Sequence, residues 1–306
     1  MTDLELLIIK SEKTKMRSLN EILLPTDFSP HCTDVARYAA GVARHFNSKI
    51  ALLHVLVPLT PAFAAFGSGA MLEEVLAHQK EETCHSLDRS FTDEFRGMAV
   101  QSIVAEGDPA ETIAEYCAAK RVGLVMMPTR GCTAFRRYLL GSVTAKVLHD
   151  VNCPVWTSSH LTDRRSAVSV IPKVIVCAID RTLEGDLILK WAAGLASDLQ
   201  ARLVVVHAIP SLDLHLEMHF LETNMRRALI GDTHAGITSV LQNSRMPEAE
   251  VRVQAGSVTT VVRSVVEDSR ADLLVIGRAS RPRRMGRLRT HSYALIRESA
   301  CPVLSI

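Results

Sequence analysis

The chain has 306 residues, 47% of them hydrophobic and 22% charged, with a formal net charge of +2. That length accommodates two domains of about 100–200 residues each. So balanced a charge supplies no global field that would draw the protein onto nucleic acid or an acidic membrane. No run of about 18 apolar residues occurs, so no transmembrane helix is expected. The opening stretch MTDLELLIIK has acids before its short apolar run and does not resemble a signal peptide. Seven cysteines are scattered without a Cys-x-x-Cys pair, which points to small core hydrophobes and away from zinc or a redox pair. A cytoplasmic setting is expected.

The segment 21–27, EILLPTD, is a short apolar run closing on Asp27, as a fully buried parallel strand would be. Ser29 then offers an N-cap hydroxyl, and Pro30 suits the first helical position. Val35, Tyr38, Ala39, Val42, Ala43 and Phe46 fall on one helical face. A strand follows over 50–56, then the apolar loop LTPAFAAFGSG, then a long helix over roughly 70–95. A strand over 99–104, a helix over 109–120, a strand over 122–127, a helix over 142–150 and a strand over 155–158 complete the half.

The second half repeats the first. VIVCAID (174–180) matches EILLPTD, and LVVVHAIP (203–210) matches ALLHVLVP (51–58). His54 and His207 are 153 positions apart, as are Asp27 and Asp180. Gly107 and Gly256 each stand between a strand and a helix. VGLVMMP (122–128) matches DLLVIG (272–277), and the halves close on Cys153-Pro154-Val155 and Cys301-Pro302-Val303. The expected domains are therefore 18–158 and 172–306, joined by the polar, basic linker SSHLTDRRSAVSVIP. Alternating strands and helices predict an α/β fold: two repeated domains, each a five-stranded parallel sheet with helices on both faces, Rossmann-like. Ligands in such sheets bind beyond the carboxyl ends of the strands where strand order reverses, here the ends of strands one and four.

After strand four the first half reads Pro128-Thr129-Arg130-Gly131, then nine residues, then Gly141-Ser142-Val143-Thr144. Gly131 allows close backbone approach. Gly141-Ser142 opens a helix, whose free N–H groups and dipole suit a phosphate. Asp27 stands on the opposite lip, placed to hold a ribose or base.

These residues resemble the universal stress protein family. Its ATP-binding members carry Gly-x2-Gly-x9-Gly-(Ser/Thr) after strand four and an aspartate ending strand one. The resemblance covers nearly the whole chain and includes Pro25-Thr26-Asp27-Phe28-Ser29 and Leu139-Leu140-Gly141-Ser142-Val143. It implies an ATP-binding, or related adenine-nucleotide-binding, stress-response protein with its better-kept site in the N-terminal half. The implied site comprises Pro25, Thr26 and Asp27 after strand one and Val55 beside the adenine. Met127, Arg130 and Gly131 follow from strand four, and Gly141, Ser142 and Val143 from the last helix. Pro128 departs from the family by replacing the first glycine. The C-terminal half keeps Gly277 but has Ser280 at the second glycine, and aligns either Thr290-His291 or Arg289-Thr290 with the third glycine and serine. Arg278, Arg281, Arg283, Arg284, Arg287 and Arg289 crowd that loop, which reads as a solvated basic loop with an anion as the competing reading. It has no interleaved aromatics or helix-turn-helix, so nucleic acid is not expected.

Other signals are bland. Gly67-Ser68-Gly69 lacks the third glycine of a dinucleotide fingerprint, and no Walker-type loop exists. His215, His219 and Glu222 share helical spacing but not a zinc-protease motif, and read as a half-exposed helix face. His54 and His207 read as packed histidines bonded to backbone, and Cys132 as a thiol near the ligand. No general base for hydrolysis is placed, so no enzyme activity is assigned, with slow ATP turnover left open. The competing function is a nucleotide-free interaction module of the stress response using the paired domains and an apolar pocket, favoured by Pro128, the degenerate second motif and the apolar loop 61–66. An adenylating enzyme would need a Ser-Gly-Gly loop where Pro25-Thr26-Asp27-Phe28 stands. The resemblance also implies an intramolecular pseudo-dimer through the last strands, about 155–158 and 303–306, and leaves a further homodimer open.

Overall fold

The computed structural model describes residues 19–58, 69–131, 140–158, 171–209, 219–244, 248–278 and 287–306. The chain divides into two compact units, one of them Ser18–His160 and the other carrying the C-terminal half to Ile306. In the first unit the elements alternate as β1 (Glu21–Pro25), α1 (Pro30–Phe46), β2 (Lys49–Leu56), α2 (Gly69–Arg89), β3 (Val100–Glu106), α3 (Pro109–Lys120), β4 (Leu124–Pro128), α4 (Ser142–Asp150) and β5 (Val155–Ser158). Every pairing is parallel, and the strands lie in the order β3-β2-β1-β4-β5. Right-handed crossovers in that order set α1 and α2 on one face and α3 and α4 on the other. The winding therefore reverses between β1 and β4, which opens a crevice at their carboxyl ends.

Ile22, Leu23 and Leu24 are wholly buried because β1 has a strand on either side and helices above and below. Burying each such side chain stabilises by about 1.5–3 kcal/mol before entropy is counted. Pro30 begins α1, as its fixed φ and missing N–H predict. Asn47 ends it in the left-handed region, with its N–H on the Ala43 carbonyl. The chain enters α3 through Gly107, whose φ of +144° excludes a side chain. Asp108 then caps the helix by accepting the Ala110 and Glu111 N–H groups. Those bonds, led by that of Glu111, hold its carboxyl below the usual value.

Two local expectations need correction. Ser29 occupies the N-cap position of α1, but its hydroxyl makes no capping bond. The Asp27 carboxylate accepts the Ser29 N–H instead, at 3.0 Å. The long helix α2 ends at Arg89 and not near residue 95. Phe91 follows in the left-handed region, with φ of 58°, which reverses the chain before β3.

The second unit repeats the pattern with β6 (Val174–Ala178), α5 (Leu183–Leu199), β7 (Arg202–Ile209), α6 (His219–Gln242), β8 (Glu250–Ala255), α7 (Val258–Asp268), β9 (Leu273–Ile276), α8 (Arg287–Glu298) and β10 (Val303–Ser305). Its strands are again all parallel, in the order β10-β9-β6-β7-β8. Gly256 precedes α7 at φ of +150°, the counterpart of Gly107.

Candidate functional site

The first unit has a cavity of about 350 Å³ at the β1/β4 crevice. Its wall includes all ten residues expected from the sequence: Pro25, Thr26 and Asp27, Val55, Met127, Arg130 and Gly131, and Gly141, Ser142 and Val143. Pro128, Thr144, Cys32, Leu53, His54, Pro109 and Ile113 complete the lining. Sequence reasoning set Pro128 at the first motif position and did not assign the other six to the site. Thr144 lies on the helix turn opened by Ser142. Cys32 is five residues beyond Asp27, one helical turn past the strand-to-helix bend.

The bend after β1 is held tightly. Phe28 takes φ of 59°, a conformation costing on the order of 1–2 kcal/mol for a residue with a side chain. The Thr26 hydroxyl accepts the Phe28 N–H at 3.1 Å. Asp27 Oδ1 takes the Ser29 N–H and also the Cys32 S–H, the latter at 3.3 Å. Burial, the dominant influence, pushes the Cys32 thiol above its ordinary value of 9.0. At neutral pH it therefore remains a protonated donor. His54 reaches from β2 to donate from Nδ1 to the Thr26 carbonyl at 2.8 Å. The Phe28 ring lies on its imidazole at a centroid distance of 4.7 Å.

The opposite lip belongs to β4 and α4. Gly141 is the N-cap of α4, its first turn contains no acid, and the helix starts at Ser142 as expected. Its exposed N–H groups and positive dipole end face the cavity. The Gly141 N–H donates to the Thr129 carbonyl at 2.9 Å, and the Thr144 hydroxyl donates to the Pro128 carbonyl at 3.1 Å. Gly131 has a role the sequence did not suggest. A β-carbon there would stand 2.2 Å from Asp27 Oδ2, so the glycine makes room for the carboxylate itself. Pro128 sits comfortably at the end of β4, opposite Ser158. The β1–β4 pairing extends only through Ile22 with Leu124 and Leu23 with Val125, so the missing proline N–H interrupts no bond to β1. Its counterpart Gly277 has no left-handed φ, so this position does not require glycine's freedom.

The second unit keeps the scaffold and changes the chemistry. His207 donates from Nδ1 to the Ile179 carbonyl at 2.8 Å, as His54 does to Thr26, so both histidines have the backbone-bonded role expected of them. The Ser292 hydroxyl donates to the Gly277 carbonyl at 3.2 Å, matching Thr144 and Pro128. That match aligns Arg289-Thr290, and not Thr290-His291, with Gly141-Ser142. Asp180 accepts the Thr182 hydroxyl at 2.5 Å, and Thr182 caps α5 through the Gly185 N–H. The cavity here is about 110 Å³. Ile188 narrows it: a β-carbon on Gly277 would stand 2.3 Å from Ile188 Cδ1.

Several expectations lie outside the described residues: the loop 59–68, Cys132, His215, Ser280, and Arg281, Arg283 and Arg284 of the basic loop. The side chains of His219, Glu222, Arg287 and Arg289 do as well. Among the described residues no group of three or more His, Cys, Asp or Glu side chains could hold a metal, and no helix is long and apolar enough to cross a membrane.

The model of the universal stress protein family matches the chain twice, over residues 19–158 and 172–306. A universal stress protein of Methanocaldococcus jannaschii is 31% identical over 137 residues, covering 44% of this chain and 79% of that protein. One from Mycolicibacterium smegmatis is 26% identical over 268 residues, covering 84% of this chain and 86% of that protein. Among solved structures, a universal stress protein from Archaeoglobus fulgidus has the same fold, with a TM-score of 0.64, 21% identity and coverage of 94% of this chain and 96% of that one.

Proposed function

The chain belongs to the universal stress protein family, and from that premise we propose that it binds ATP or a related adenine nucleotide in its N-terminal unit as a regulatory, non-catalytic protein. The observation that carries this reading is the single cavity lined by Asp27, Gly131 and the start of α4 together. Its volume lies within the range of small-molecule sites, about 300–1,000 Å³. Phosphates would sit against Gly141, Ser142 and Val143, where helix N–H groups converge, with Arg130 adding positive charge. The base would lie between the apolar walls Val55, Met127 and Pro25, with Asp27 receiving ribose or base donors.

Among the described lining residues Asp27 is the one carboxylate, and it already accepts bonds from Ser29 and Cys32. Its task is orientation rather than proton transfer, which supports binding without turnover. Nucleotide would then stabilise the folded unit by mass action, about 2.7 kcal/mol at one hundred times Kd. The same reading takes 18–158 and 172–306 as the functional repeats of a cytoplasmic protein.

The test is to denature the purified protein and assay the supernatant for adenine nucleotide, with ATP titration in parallel. Wild type should release or bind nucleotide. The Gly141→Asp plus Ser142→Asp variant, which sets charge against the phosphates, should not. An empty wild-type protein with a flat titration rejects the proposal and leaves the nucleotide-free interaction module.

A further inference from the structure

The crevice of the second unit has kept its framework and changed the residue pair at the start of its last helix. The His207–Ile179 and Ser292–Gly277 bonds reproduce those of the first unit. Yet Arg289-Thr290 replaces the glycine-serine pair that opens α4, and Ile179 replaces Thr26. A packed-out vestige would leave no cavity, but one of about 110 Å³ persists. That is too small for a nucleotide. A dry apolar cavity of about 150 Å³ takes a ring the size of benzene, so this one suits a branched aliphatic group of four or five carbons.

Its walls are of that character: Ile188, Val206, Val262, Ile276 and Leu295. Charge is divided between the two lips. Asp180 and Glu184, after β6 and in the first turn of α5, supply acid on one side. Arg278 and His291, after β9 and in α8, supply donors on the other. β6 and β9 are neighbouring strands, and both pairs of residues line the one cavity.

We infer that the C-terminal cavity binds a small aliphatic zwitterion, an α-amino acid of the valine or leucine class. The ammonium group lies toward Asp180 and Glu184, the carboxylate toward Arg278 and His291, and the side chain against Ile188 and Val262. The site is separate from the proposed nucleotide site and does not depend on it.

The experiment is calorimetric titration and thermal unfolding of the full chain with L-valine, L-leucine, L-alanine, isovalerate and isobutylamine. Valine or leucine should bind and raise Tm. Alanine should bind at least tenfold more weakly, since one methylene in an apolar pocket is worth about 10–200-fold. Isovalerate and isobutylamine, each lacking one charge, should lose at least tenfold. Arg278→Gln should weaken valine tenfold. Ile188→Trp should fill the cavity and abolish binding, and if it fails to fold, Arg278→Gln still decides. The Gly141→Asp plus Ser142→Asp variant should bind valine like wild type, whether or not wild type binds ATP. No heat and no Tm change with either amino acid, or equal affinity for isovalerate, overturns the inference.

Discussion

Asp27 and Gly131 occupy one another's space: Oδ2 of the carboxylate stands 2.2 Å from where a β-carbon of residue 131 would be. No real contact is that short, so Gly131→Ala must push the carboxylate away from the lip of α4. A nucleotide site built on that carboxylate should lose at least tenfold in ATP affinity. The overpacking should also lower stability by about 1–3 kcal/mol. Titration and denaturant unfolding of Gly131→Ala measure both, and unchanged affinity would show that Asp27 does not contact the ligand.

Cys32 acts on the same carboxylate from beneath. Its thiol donates to Asp27 Oδ1 at 3.3 Å and lies 3.6 Å from the Ser29 hydroxyl. Cys32→Ser keeps a donor at nearly the same volume, and ATP affinity should stay within about threefold. Cys32→Ala removes the donor and should cost about 1 kcal/mol of Asp27 orientation, roughly fivefold in Kd. Equal affinities in the two variants would leave the thiol a packing residue only. Because burial raises its pKa, Cys32 should also alkylate far more slowly at neutral pH than Cys84, which is not buried.

The contrast between these two residues explains what the sequence could convey. The start of α4 was legible because Gly141-Ser142 carries a local signal, a flexible residue followed by a helix former after an apolar strand. The parallel sheet and the crevice at the ends of β1 and β4 followed from alternation and from where such sheets reverse; the order β3-β2-β1-β4-β5 depends on strand pairing, which periodicity does not encode. Cys32 was not legible because its bond to Asp27 depends on the bend at Phe28, whose left-handed φ no residue preference announces. Phe91, another aromatic in that region, ended α2 early for the same reason. Gly131 lines the cavity, and the room it leaves for the Asp27 side chain was not legible because that contact joins two distant loops. The narrowing of the second cavity by Ile188 depends on how far one side chain reaches, which periodicity does not encode.

Pro128 breaks the glycine pattern of the family, yet the structure gives it nothing to break locally. It ends β4 without interrupting a β1 bond, and its carbonyl still receives the Thr144 hydroxyl. Pro128→Gly should therefore change ATP affinity by less than about threefold. It should lower stability by about 0.4–1 kcal/mol by freeing the unfolded chain. An affinity gain of tenfold or more would mean that a ligand contacts the backbone N–H that proline lacks.

Tyr116 links α3 to β1, its hydroxyl donating to Glu21 Oε1 at 3.1 Å. Partial burial, first, and then the Glu21 carboxylate push the Tyr116 phenol up from 10.0 to about 12. A phenol raised in the folded state stabilises the fold fully below its unfolded value. That contribution is lost as the unfolded chain ionises between pH 10 and about 12. Of the four tyrosines, Tyr116 should ionise in a late step in an ultraviolet pH titration, and Tyr116→Phe should remove that step. In denaturant unfolding across the same pH window, wild-type stability should fall more steeply than that of Tyr116→Phe. Parallel curves for the two proteins would show that the Glu21 bond does not hold in solution.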